Sequence, residues 1–221
     1  MLYSLIRWLI ILIVIASIII VSKMSKKKKY IIIILIIVFF VSFIFVDIKF
    51  PIENYFINFK TPQKAFSYYN NGIILDVIEG SESALIIYKD DDSSGISIIP
   101  KSDDSWQINP FFSYDTVYKK KLYTKEIDCD VTIFQSKKTD DYYIEIDNWF
   151  TAQKVNISDN RGTNFLCFEE SSAEITIKSY TFYAYVEDID DNYTIQINDE
   201  IINILLGDTD YSNFISGKDY A

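Results

Sequence analysis

The sequence has no histidine, and only two cysteines, two methionines, four prolines and six glycines among its 221 residues. Without imidazole there is no Ser-His or Cys-His nucleophile pair, no His general base near neutral pH and no His-ligated metal. The two cysteines, Cys129 and Cys167, cannot make a zinc site by themselves. No internal repeat and no low-complexity linker divides the chain. With no cofactor, metal site or catalytic constellation legible, the chain is expected not to be an enzyme. Its thirty-one acidic residues single out no carboxylate pair of the kind glycoside hydrolysis uses.

What is present is strongly asymmetric. Residues 1–49 carry seven basic side chains against Asp47 alone, a balance of +6, whereas 50–221 carry fourteen basic against thirty acidic, a balance of −16. An acidic body repels phosphate backbones, so nucleic acid is not an expected partner. A cationic peptide or protein is.

The basic head is also the most apolar part. LYSLIRWLIILIVIASIIIVS (2–22) holds one charge, Arg7, and YIIIILIIVFFVSFIFV (30–46) holds none. A helix of seventeen residues is about 26 Å long, near the thickness of a bilayer's hydrocarbon layer. Neither run has the polar positions a surface helix needs. Both therefore read as transmembrane helices, with the lipid bilayer as a partner. Lys23, Lys26, Lys27, Lys28 and Lys29 lie between them as a topology anchor: short basic loops stay cytoplasmic, which sends the body outside the cell membrane. Lys49, Lys60 and Lys64 beyond the second run oppose this with a smaller count. A second reading starts at Met24, since MSKKKKYIIIILIIVFFVSFIFV has the basic and apolar regions of a signal anchor with no A-x-A cleavage pattern after it. Residues 1–23 would then be an upstream extension, and the body would reach the same side.

Past Phe50 apolar residues alternate. Residues 50–60 read as a connector. TPQKAFSYYNNG predicts a short helix with Thr61 as N-cap, Pro62 at its first position and Gly72 past its end. IILDVIEG, ALIIYK, ISIIPK and WQI predict a meander of strands, completing a small α+β unit over 61–108. From 109 to 206 the pattern is β: Ile127, Cys129, Val131 and Ile133 alternate with Asp128, Asp130 and Thr132, as do Tyr142, Ile144 and Ile146 with Tyr143, Glu145 and Asp147. Tyr193, Ile195 and Ile197 share another face. The expected fold class is membrane-anchored α+β, mainly β, ending in a β-sandwich-like or curled-sheet region. A flexible tail is expected over 207–221.

Three stretches invite a site. Cys129 and Cys167 read as buried small hydrophobes or, on the oxidising side of a membrane, as a disulfide. DIDDN places Asp188, Asp190 and Asn192 at the first, third and fifth positions of a calcium loop. Tyr193, however, stands where glycine is needed and Asp199 where the bidentate glutamate belongs. DDDSSG (90–95) has similar lettering but Lys101 at the twelfth position. Both read as turns. Trp106, Trp149 and the tyrosines are groove or core residues.

KTPQKAFSYYNNGIILDVIEGSESALIIYK, followed by SDDSWQI, resembles a segment of uncharacterised, membrane-anchored extracytoplasmic proteins of Gram-positive bacteria. Gln63 and Lys64 stand where that family has acidic residues. The resemblance covers 61–108 and the anchor. It implies an outer domain on a membrane tether and carries no activity and no site residues. The leading expectation is a membrane-tethered extracytoplasmic binding or interaction module. The alternative is a membrane accessory protein in envelope stress sensing or toxin protection, whose helical hairpin contacts a membrane partner.

Overall fold

A computed structural model describes residues 2–23, 26–49, 51–90, 93–108, 113–124, 127–137, 139–148, 154–171, 178–209 and 215–216. The chain is mainly β, with a few helices at its start, and falls into two compact units: Met1–Val77 with Ile86–Ser113, and Ile78–Leu85 with Tyr114–Ala221.

In the first unit two long helices, α1 (Leu2–Ser22) and α2 (Lys26–Lys49), follow one another and pack together, with Lys23 exposed in the turn between them. Among the described residues no helix is long and apolar enough to cross a membrane. The side chains of Lys26–Lys29 and the position of Met24 lie outside the described residues.

The supposed connector is structured. A 3-10 helix covers Ile52–Tyr55, and the Asn54 side chain both accepts from the Ile108 N–H and donates to the Ile108 carbonyl, each at 2.9 Å. Helix α3 (Pro62–Tyr69) starts as its letters predict: Thr61 is extended and its hydroxyl accepts from the Lys64 N–H at 3.3 Å. It ends at Asn70, sooner than the glycine suggested, because the Asn70 side chain accepts from the Gly72 N–H at 2.8 Å and turns the chain into the sheet. That sheet is a meander, β1 (Ile73–Glu79), β2 (Ser83–Asp90), β3 (Ser93–Ser102) and β4 (Ser105–Trp106), in sequence order. Phe66, Ile86, Ile87, Ile98, Ile99 and Ile108 are buried in this unit. Trp106 is buried too, bridged to Phe59 and flanked by Lys101 at 5.7 Å, so it is a packing residue; Trp149 lies outside the described residues.

The second unit holds β5 (Tyr114–Tyr123), β6 (Asp128–Ser136), β7 (Tyr142–Asn148), β8 (Ile157–Asp159), β9 (Leu166–Ser171), β10 (Lys178–Val186), β11 (Thr194–Ile197), β12 (Glu200–Asn203) and β13 (Ile215–Ser216). A six-stranded sheet has the order β13-β5-β6-β7-β10-β9 and a three-stranded sheet the order β12-β11-β8. Neighbouring strands in these two sheets pair antiparallel except β13 with β5, which is parallel. One core joins the two sheets: Cys129, Val131, Ile133, Ile144, Ile146 and Phe182 from the larger meet Ile195, Ile197 and Ile202 from the smaller, with Tyr193 just before β11. These are the alternating positions of the sequence pattern, because period-two side chains must share a face.

The tail is not free where it is described. The Gly207 N–H donates to the Val117 carbonyl at 2.7 Å, the Asp208 carbonyl accepts from the Lys119 N–H at 3.1 Å, Lys120 pairs with Asp208, and β13 lies along β5. Strand β5 has β6 on one side only, so its other backbone edge needs partners, and the C-terminal segment supplies them.

Candidate functional site

Three polar constellations stand out from this framework. The first is a buried carboxylate. The loop joining β6 to β7 places Asp141 against the turn of the β1–β2 hairpin, whose tip, Ile78–Leu85, belongs to the second unit. Asp141 is fully buried and accepts five hydrogen bonds. Its Oδ1 takes the Ser81 N–H at 3.2 Å, the Ser81 hydroxyl at 2.7 Å and the Tyr185 hydroxyl at 2.8 Å. Its Oδ2 takes the Glu82 N–H at 2.9 Å and the Ser83 hydroxyl at 2.6 Å. Since the Ser83 proton is committed to Asp141, the Tyr143 hydroxyl donates to Ser83 at 2.9 Å. Burial alone would raise the Asp141 pKa, but the hydrogen bonds from Ser83, Ser81, the Glu82 amide and Tyr185 outweigh it and hold the pKa below the usual carboxylate value. Gly80 is required by this closeness: a Cβ there would lie 2.7 Å from the Tyr143 hydroxyl and 2.8 Å from Asp141 Oδ2. The arrangement is an anion nest filled by the chain's own carboxylate. Ser83 and Asp141 are sealed from solvent, which leaves a substrate no way in and makes the nest a clasp.

The second constellation lies on the face of the six-stranded sheet opposite the core. Register puts Lys119, Thr132, Glu145 and Tyr183 in one row, and Lys121, Asp130, Asp147 and Thr181 in the next. Lys121 pairs with Asp128 at 2.8 Å, and the Thr181 hydroxyl donates to Asp147 at 2.8 Å. Burial, reinforced by the Asp147 charge, pushes the Glu145 carboxyl up to about 7, against the opposing pull of the Tyr183 hydroxyl and Lys119. The alternating pattern predicted a solvated polar face, yet Thr132, Phe134, Tyr143 and Tyr183 on it are buried. Sequence reasoning passed over Glu145 because its letter looks like any outward strand residue; Asp147 two positions along was the available signal.

The third is the former calcium candidate. Asp190 Oδ1 accepts from the Asn192 N–H at 2.9 Å, Arg161 pairs with Asp190 at 3.1 Å, and the Arg161 guanidinium also donates to the Asp188 carbonyl. Arg161 lies over the Tyr193 ring at 5.3 Å, and Tyr193 donates to Asp159 at 2.7 Å. The cation at this loop is therefore the chain's own guanidinium. In DDDSSG the Ser93 hydroxyl donates to the Asp90 carbonyl at 3.2 Å, as in a turn. Among the described residues no group of three or more Asp, Glu or Cys is placed to hold a metal ion.

Cys129 and Cys167 are both free. They sit on β6 and β9, with β7 and β10 between, so three strand spacings of about 4.8 Å separate them by about 14 Å. A disulfide needs Cα atoms within about 7 Å. The bridge is excluded by strand order, which no spacing of letters reveals. Cys129 is wholly buried in the core, where burial pushes its thiol up to about 12, the opposite of an activated nucleophile.

At the other end of the chain, Arg7 of α1 reaches Glu53 at 2.6 Å, with the Glu53 side chain 2% exposed and Arg7 24%. Helix α3 touches α1 as well, and Tyr68 feels both charges: its pKa is raised first by burial and then by Glu53, with Arg7 opposing. Around this polar contact most of the exposed side chains described on the two helices are apolar. Leu5, Trp8, Leu9, Leu12, Ile13 and Ile20 of α1, and Ile34, Leu35, Val38 and Phe39 of α2, are all exposed.

No protein-family model matches the chain, and neither a curated protein nor a solved structure does.

Proposed function

We propose that the chain is a membrane-tethered, extracytoplasmic, non-catalytic binding module whose N-terminal helical hairpin sits in a lipid bilayer. The observation that carries this is the hairpin's surface: apolar side chains stand exposed along one broad face of each helix, beside the basic segment 23–29. Water is a poor solvent for such a surface and a bilayer a good one. Lys23 in the turn and Lys26, Lys27, Lys28 and Lys29 at the start of α2 favour a cytoplasmic end for the hairpin, so the acidic body lies outside, in keeping with the resemblance over 61–108. A net charge of −16 over residues 50–221 suits a cationic peptide or protein partner.

Protease added to intact, wall-stripped cells is expected to digest the segment after Phe50, while alkaline carbonate leaves the hairpin in the membrane fraction. Protection of that segment in cells, with digestion in lysates, overturns the topology. The Arg7–Glu53 pair favours a second reading, a membrane accessory protein of envelope stress or toxin protection, because it makes α1 part of the outer unit. Replacing α1 by an unrelated span while keeping an arginine at the position of Arg7 preserves function under the first reading and abolishes it under the second.

A further inference from the structure

The segment after α2 holds two aromatic rings in the open on a rigid support. Tyr55 is 76% exposed and Phe56 85%, among the largest exposures of any apolar side chain described. Their neighbours point the other way: Glu53 is buried against Arg7, and Asn54 is fixed to the Ile108 backbone by two hydrogen bonds. Consecutive residues of a 3-10 helix face directions about 120° apart, so anchoring Glu53 and Asn54 dictates where Tyr55 points. A connector needing only reach would have no reason for such rigidity. Two adjacent rings exposed on a fixed support offer an apolar surface that an apolar partner would cover.

We propose that Tyr55 and Phe56, with Trp8, lie in the outer headgroup layer of a lipid bilayer, at a depth set by the Arg7–Glu53 ion pair. The proposal rests on the tether reading above and adds which residues meet the boundary. Three observations choose lipid over other occupants. Tyr55 and Phe56 follow the end of α2 by only six and seven residues, a short reach from the hairpin. Trp8, 65% exposed, is adjacent to Arg7, so the ion pair that fixes Glu53 brings Trp8 to the same end of the hairpin. The rings are an amphipathic tyrosine and tryptophan beside a phenylalanine, the composition that settles at a membrane–water boundary. The acidic body is repelled by anionic lipid, so contact there depends on the rings and not on charge.

The test places a photoreactive benzophenone amino acid at position 56 of the full-length chain, and in a second sample at position 39, in liposomes of phosphatidylethanolamine and phosphatidylglycerol. Both side chains are exposed, so neither replacement disturbs packing. Lipid cross-linking at 56 is expected within about threefold of that at 39, and Arg7→Ala or Glu53→Gln should lower it at 56 while leaving it at 39. Cross-linking at 39 with none at 56 overturns the proposal and leaves the tether standing. No lipid cross-link at either position overturns both. A yield at 56 unmoved by both ion-pair variants refutes the role given to Arg7 and Glu53, and a cross-link from 56 to a protein instead of lipid in native membranes refutes the choice of occupant.

Discussion

Replacing Glu145 by Gln should stabilise the protein at neutral and alkaline pH and leave it unchanged in acid. Glu145 faces Asp147 along its own strand, Thr132 and Tyr183 across the rows, and Lys119 one strand further. Its carboxyl is pushed up from an ordinary 4.5 to about 7, first by burial and then by the Asp147 charge. A raised acid means that the folded chain keeps a proton which the unfolded chain releases. The stability this group confers is whole below pH 4.5 and is lost progressively as pH rises to about 7. The gap corresponds to about 3 kcal/mol, or a melting difference on the order of 6–12 °C for a chain of this size. Gln has the shape of the protonated acid, still accepts from Tyr183, and does not titrate. Unfolding of the full chain and of the variant, in detergent micelles from pH 4 to pH 8, should give curves that coincide in acid and diverge above pH 5, with the variant the more stable. A difference that stays constant across this range would refute the reasoning, because it would mean that Glu145 ionises equally easily folded and unfolded.

Asp141→Ala should cost about 3–5 kcal/mol, since five donors lose one buried acceptor, and Gly80→Ala about 1–3 kcal/mol by forcing a methyl against Tyr143 and Tyr185; urea titration measures both. The lowered Asp141 and Asp159 pKa values have the opposite sign to Glu145: their contribution is present above the ordinary 3.8 and lost as pH falls, so the acid limb of the stability curve should flatten in Asp141→Asn. A chain beginning at Met24 would leave Glu53 buried without Arg7, a loss of about 3–5 kcal/mol that Glu53→Gln should partly restore, read as protease resistance of residues 51–108. Millimolar calcium should leave thermal melting unchanged, because Arg161 already pairs with Asp190 in the 188–192 loop, and thiol titration after denaturation without reductant should count two thiols.

Much of the architecture was legible because it follows from short-range rules. Thr61–Pro62 started a helix where capping chemistry said it would, and IILDVIEG, ALIIYK, ISIIPK and WQI became the strands of a meander. Alternation named the core residues of β6, β7 and β11 one by one. The hydrogen bonds of the connector and of the first tail residues were illegible for one reason: polar letters at Glu53, Asn54, Gly207 and Asp208 look solvated, yet each found a partner more than forty residues away or along an open strand edge. The three constellations were illegible in turn. Asp141 meets Ser81 and Ser83 across some sixty residues, and Glu145 becomes unusual only when register stacks Thr132 and Tyr183 beside it.

By itself the sequence determined what depends on near neighbours and on totals: two apolar helices around a basic turn, a short capped helix, period-two strands, and an acidic body without imidazole chemistry. Tertiary structure alone decided which charges meet. It set Cys129 and Cys167 three strands apart, gave Arg7 to Glu53 and Arg161 to Asp190, and closed a nest of serines around Asp141. The physical reason is that backbone preference and hydrophobic period act within a few residues. A carboxylate's state depends instead on what the fold brings within a few ångströms, whatever the distance along the chain.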